Sequence, residues 1–230
     1  MIREYHRPET IETAVELLSR TQPHTLPLGG GTRINQPGAQ VDAVVDLQAL
    51  GLDQIERQGN LLRVGAMVTL QRLFEQADLP EALKKAIHQE TSHNLRQVAT
   101  LAGTLVSADG RSPLAAVALA MDARLVWAPG EQDVSYGEFL PLREGTWPGR
   151  LITRIDLPLQ AKTAFQMVAR TPDDFPLVSA ALVRWPSGRR RLALGGYGAA
   201  PLLVLDGTGE AGLEETARDA YSQAGDTWAS

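Results

Sequence analysis

The chain has 230 residues, with 22 Lys and Arg against 27 Asp and Glu, for a formal net charge of −5. An acidic chain without an extended Lys/Arg cluster lacks the electrostatic footprint of a nucleic-acid binder. The absence of cysteine excludes disulfides, thiolate zinc sites, a Cys nucleophile and an iron–sulfur cluster held by this chain.

Apolar residues make up 43% and charged residues 21%, as in an ordinary globular protein. The length allows one large domain or two small ones. The segment from Met1 to Pro8 is charged and has no apolar stretch of leader length. The longest apolar run, Leu114 to Met121, is far shorter than the ~20 residues a membrane span needs. A soluble, cytoplasmic chain with no membrane contact is expected.

Ile11, Ala14, Val15 and Leu18 fall at i, i+3, i+4 and i+7, one face of a helix. Pro8 and Thr10 supply start signals, and Pro23 closes the segment. Thr25–Leu28 reads as a strand, followed by Gly29-Gly30-Gly31, and residues 43–47 read as a second strand. Residues 61–66 form a third. Thr69 can cap a short helix through Phe74, and Pro80 opens a helix toward His88, with Glu81 at its positive end.

Asn94 to Thr104 reads as a loop ending in small residues. Ser112-Pro113 opens an apolar helix through Met121, and Arg124–Ala128 is a strand. Residues 141–150, rich in Gly, Pro and charge, mark a break. A strand at 151–157 follows, then strands at 165–170, 177–185 and 190–196, with Ser187-Gly188 turning between the last two. Residues 214–223 read as a final helix. The pattern is α+β to about residue 160, then a smaller antiparallel unit.

The strongest local signal is Leu28-Gly29-Gly30-Gly31-Thr32-Arg33. Three glycines let the backbone adopt left-handed conformations and approach a ligand. Successive N–H groups in such a turn form a nest for phosphate oxygens, and the Thr hydroxyl and Arg guanidinium beside it can bond an anion. The same glycines equally suit a tight strand–strand connection. The stretch matches neither the dinucleotide fingerprint nor the P-loop. A second, weaker signal is Thr100-Leu101-Ala102-Gly103-Thr104, which gains meaning only beside the first.

His88 and His93 are five apart and share no helical face; no carboxylate completes a metal set. Asp173-Asp174 follows Thr171-Pro172 and reads as a turn, and Arg189-Arg190-Arg191 as a solvated face at a hairpin. Trp127, Trp147, Trp185 and Trp228 read as core or interface. No nucleophile–base pair stands out.

In this order the motifs resemble one family, the FAD-binding medium subunit or domain of molybdenum hydroxylases, the aerobic carbon monoxide dehydrogenase and xanthine dehydrogenase group. "EYHRPETIETAVELLS" is similar to the family's opening Tyr-x-x-Pro and helix. "LPLGGGTRI" resembles its first flavin loop, and "LRQVATLAGTLVSADGRSPLAAVALAMDARL" its second loop and following helix. "VARTPDDFPLVSAALV" and "RRRLALGGYGAAPLLV" are similar to the start of its C-terminal domain.

The resemblance implies an α+β fold: a two-subdomain FAD-binding domain of the vanillyl-alcohol-oxidase-like (PCMH) type at 1–160, divided near 54/55. An α+β C-terminal domain follows at 161–230. The chain stops at Asp226–Ser230 where the family enters its last helices, so that domain is expected to be incomplete. FAD is the implied cofactor, with Leu28, Gly29, Gly30, Gly31, Thr32, Arg33 and Ile34 as one wall of its site. Thr100, Leu101, Ala102, Gly103 and Thr104 form the other. Replacing Gly30 or Gly31 with Val is expected to fill phosphate space.

The implied role is electron transfer, from iron–sulfur clusters through flavin to an outside acceptor, with redox activity only within a complex. The implied partners are a molybdopterin-binding large subunit and a 2Fe–2S small subunit, with self-association of the isolated chain as a further expectation. No catalytic residue and no metal ligand is assigned to this chain.

Several positions depart from the family pattern. Ala102 stands for the usual Gly, Thr104 for Asn, and Arg33 for Asp or Ser. Pro113 takes the place of a hydroxyl-binding Asp, for which Asp109 is the nearest substitute, and Met167 stands where many members carry Lys. They motivate the alternative expectation, a degenerate relative without flavin that serves as a scaffold or interaction subunit.

Overall fold

The computed structural model describes residues 2–34, 41–143, 148–172, 174–209 and 212–222. Trp147, Trp228, Asp173, Gln223 and the final residues 226–230, all singled out above, lie outside the described residues, as does part of the 141–150 break. The chain divides into two compact units. The first comprises Met1–Glu75, His93–Ser107 and Arg124–Asp156, and the second Gln76–Ser92, Ala108–Ala123 and Leu157–Ser230.

The first unit opens with strand β1 (Glu4–His6), helix α1 (Ile11–Leu18), and strands β2 (Thr25–Leu28) and β3 (Ala43–Asp46). The three strands form a parallel sheet in the order β1-β3-β2. Strand β1 is too short and too exposed to show an alternating pattern, and the periodicity reading missed it. Helix α1 starts where Thr10 accepts a hydrogen bond from the Thr13 N–H, an ordinary N-cap. Its Ala14 and Leu18 pack with Val45, Leu47 and Leu151.

A five-stranded sheet completes this unit in the order β4-β5-β8-β6-β7. Its strands are β4 (Ile55–Gln58), β5 (Leu61–Gly65), β6 (Arg124–Ala128), β7 (Gln132–Ser135) and β8 (Leu151–Pro158). Helices α2 (Leu70–Phe74), α4 (His93–Arg96), α5 (Leu101–Ser107) and α7 (Tyr136–Phe139) belong to the same unit. Thr69 caps α2 through the Arg72 N–H, as its sequence position suggests. The Tyr136 hydroxyl donates to Leu105 O at 2.9 Å and ties α7 to α5.

Asn94–Thr104 is not a loop. It holds α4 and the first turn of α5. Gly103 suggests a loop, but Leu101, Ala102 and Leu105 give one turn a fully buried face, and burial outweighs the weak propensity of a single glycine.

The second unit is built from helices α3 (Glu81–Glu90), α6 (Pro113–Ala120) and α8 (Leu213–Ser222), and strands β9 (Lys162–Val168), β10 (Val178–Arg184), β11 (Arg190–Gly195) and β12 (Leu202–Gly207). The strands form an antiparallel sheet in the order β12-β11-β10-β9. Gly188, at φ +88°, turns between β10 and β11. Ser112 caps α6 and Pro113 occupies its first turn. The buried Glu90 carboxylate accepts from Ser112 Oγ at 2.8 Å and Leu114 N at 3.0 Å, which joins α3 to the start of α6.

The basic triplet is not a solvated face. Arg189 pairs with Asp206 and Asp122, and Arg191 is buried against Asp122. The sheet carries the chain back so that these carboxylates meet the turn, a tertiary pairing invisible in local sequence.

Candidate functional site

The two glycine-bearing segments lie side by side in the first unit. Strand β2 ends at Leu28, whose carbonyl accepts from Leu47 N at 3.1 Å. The chain then leaves the sheet through Gly29, Gly30 and Gly31. A Cβ on Gly30 would stand 1.8 Å from Val98 O, and one on Gly29 would stand 3.0 Å from Thr100 Oγ1. Only a backbone without side chains can cross at that distance. Gly31 differs: it has room, but its φ of +71° is left-handed. The neighbouring segment of chain by itself therefore requires glycine at position 30.

The second segment is fixed from below. Thr69 and Thr100 form an antiparallel bridge, with Leu70 N donating to Ala99 O and Leu101 N to Val68 O, each at 2.9 Å. Arg96, buried at the end of α4, sets its guanidinium over the Phe74 ring at 5.6 Å and donates from Nε to Gln71 Oε1 at 3.3 Å. The segment reaching Val98 is thereby anchored on α2.

Among the described residues, nothing accepts from the N–H groups of Gly29, Gly30, Gly31 or Thr32. Thr32 and Arg33 are exposed, and Ile34 is half-buried in the following turn. Arg33 has no ion pair among the described residues.

Thr100 Oγ1 accepts the Gly103 N–H at 3.2 Å. An acceptor hydroxyl still owns its proton, so Thr100 can donate to an anion. Thr104 Oγ1 instead donates to Thr100 O at 2.9 Å. Leu101 is buried and its N–H is taken by Val68 O. Ala102 is also buried, with 9% exposure, so its methyl packs in the core. A Cβ on Gly103 would meet Thr100 Oγ1 at 2.9 Å.

Asp109 belongs to the second unit. Its Oδ1 accepts the Arg111 N–H at 2.8 Å in a local turn. Close by, Gly110 N donates to Gly198 O at 3.0 Å and Gly196 N to Gly110 O at 2.6 Å. Met167 lies on β9, opposite Ser179 of β10. No group of three metal-ligating side chains occurs among the described residues. No described helix is long and apolar enough to cross a membrane.

An open glycine turn set against a capped helix start in an α+β chain is an arrangement suited to holding a cofactor. Residues 1–160 match the family described as the FAD binding domain in molybdopterin dehydrogenase, and the chain belongs to that family. FAD is the family's cofactor.

The protein YgfM of Escherichia coli strain K12 is 31% identical over 209 residues, covering 90% of this chain and 79% of that protein. The glyceraldehyde dehydrogenase medium chain of Sulfolobus acidocaldarius is 25% identical over 225 residues, covering 88% and 78%. The fold is that of reconstituted CO dehydrogenase from Oligotropha carboxidovorans, with a TM-score of 0.80 at 23% identity, covering 98% of this chain and 90% of that one. The Sulfolobus relative is a dehydrogenase medium chain, and the fold expectation holds.

Proposed function

We propose that this chain is the FAD-binding electron-transfer subunit of a molybdenum hydroxylase-type oxidoreductase in the cytoplasm. Its partners are a molybdopterin-binding large subunit and a 2Fe–2S small subunit. The observation that carries the reading is the run of N–H groups at Gly29–Thr32 with no acceptor among the described residues, beginning at Gly29 beside the Thr100 hydroxyl. Backbone donors held by a rigid crossing suit a diphosphate without a deep cationic pocket.

Gly29, Gly30, Gly31 and Thr32 offer N–H donors to the diphosphate, Thr100 its hydroxyl proton, and Arg33 its guanidinium. Leu28 and Ile34 flank that turn. Gly103 leaves room for Thr100, Leu101 and Ala102 hold the helix start in the core, and Thr104 closes its first turn. When bound, FAD would supply the redox centre between the iron–sulfur clusters of a partner and an external acceptor. The chain's own part is to bind and orient.

Burial of Ala102 weakens its support for a flavin-free scaffold. Pro113, which offers no carboxylate, and Met167 remain the support for that alternative.

The test is the visible spectrum of the purified chain after incubation with FAD and desalting. About one flavin per chain is expected. A hundredfold excess of FAD over Kd also stabilises the fold by ~2.7 kcal/mol. A folded chain that keeps no flavin and shows no thermal shift overturns the proposal in favour of the scaffold.

A further inference from the structure

A cleft of about 710 Å³ opens in the first unit between α1, β4, β5 and the β6–β7 turn. None of the residues lining it belongs to the glycine segments. Its volume is that of a small-molecule site. Arg63 of β5 lines it, and the Arg63 Nε is buried with no hydrogen-bond partner. Among the described residues Arg63 has no ion pair either. The other guanidinium of the cleft, Arg154, donates to both Asp156 oxygens, at 2.7 and 3.3 Å.

A buried donor without an acceptor is a cost that a bound group can remove. The guanidinium fork favours a carboxylate or phosphate, and the remaining charges discriminate between them. Glu12 and Glu16 stand one turn apart on α1, and Glu56 is the cross-strand partner of Arg63. None of these three carboxylates has an ion-pair partner among the described residues. They repel a polyanion and attract a cation. Val15 and Trp127 add apolar surface to the same lining.

We propose that this cleft binds a small zwitterion, with its carboxylate on Arg63, its cationic group on Glu12 and Glu16 of α1, and an apolar body joining the two. The site is separate from the flavin reading and stands or falls without it.

The probe is 6-aminohexanoate, with hexanoate and hexylamine as halves of the same molecule. Calorimetry and thermal shift on the full chain should show 6-aminohexanoate binding more tightly than either half. Arg63→Gln should weaken it by roughly tenfold or more. Glu12→Gln with Glu16→Gln should remove the preference over hexanoate.

Arg63→Gln should keep the wild-type melting midpoint and flavin content, since Arg63 holds no partner in the fold. No binding by the wild type, equal binding of the three probes, or undiminished binding by Arg63→Gln overturns the proposal. Loss of flavin in the wild type does not bear on it.

Discussion

Gly30 lies on the carbonyl of Val98: a Cβ at position 30 would stand 1.8 Å from that oxygen and 2.6 Å from its carbon. The obstacle is backbone, so it cannot swing aside as a side chain can. Gly31, one residue on, meets nothing nearer than Leu28 Cδ1 at 3.6 Å and is constrained by its φ alone. Gly30→Ala should therefore lower stability by about 1–3 kcal/mol through overpacking and lose flavin with it. Gly31→Ala should cost about 1–2 kcal/mol for a left-handed residue, and Gly31→Asn less. Urea titration and retained flavin measure both. Full tolerance of Gly30→Ala, with stability and flavin content unchanged, would show that the crossing is not what Gly30 serves.

The second segment gives an opposite expectation at Ala102. Its methyl is buried in the α5 turn, so restoring the family's glycine should not open the site. Ala102→Gly should cost about 0.5–1 kcal/mol and leave flavin content unchanged. Thr100→Val should cost about 1 kcal/mol by removing the acceptor for Gly103 N–H, while Thr100→Ser should not. Tighter flavin binding by Ala102→Gly would return the methyl to the list of obstacles.

Elements built on strong local periodicity were legible in the sequence. Helix α1 with its Thr10 cap, strand β2 and the Thr69-capped α2 all follow from residues within one or two turns of each other. The glycine turn was visible as a turn, but its reason was not. Nothing near Gly30 in sequence announces that Val98 will pass beneath it. The same limit hid the partners of Arg189 and Arg191, since Asp122 is more than sixty residues away. The helical start at Leu101 was masked by Gly103, because burial of Leu101 and Leu105 depends on elements elsewhere in the unit.

The Arg189 network makes acid stability specific. Arg189 donates to both Asp206 oxygens at 2.7 Å and to Asp122 Oδ2 at 2.9 Å, with its guanidinium 5.2 Å from the Trp185 ring centre. Hydrogen bonding from Arg189, aided by the nearby Arg191 charge, holds the Asp206 carboxyl below its ordinary value of 3.8. A depressed carboxyl contributes stability that is present above 3.8 and is lost as pH falls through its lower folded value. Arg189→Met should lower the melting midpoint at neutral pH and flatten the pH dependence below 3.8. Because the pair is partly exposed, the neutral-pH loss should be modest. An unchanged acid slope in the variant would remove Asp206 from the acid-sensitive groups.

Tyr221 sets the alkaline limit of the second unit. Its single hydroxyl proton is shared between Ser179 O at 2.8 Å and Gly195 O at 2.9 Å, which ties α8 to strands β10 and β11. The Tyr197 ring packs edge-on at 5.7 Å. Burial raises the phenol to about 12 from its ordinary 10.0. The folded state then holds its proton where the unfolded state has lost it. Stability is complete below pH 10 and falls as pH rises toward about 12. Tyr221→Phe removes this alkaline dependence and also removes the tie, at about 1 kcal/mol near neutrality. Denaturant titrations of both proteins at neutral pH and between pH 10 and 12 separate the two effects. The variant should start lower and lose less over that interval. Parallel profiles would mean that the Tyr221 hydroxyl is open to water and that α8 is held by packing alone.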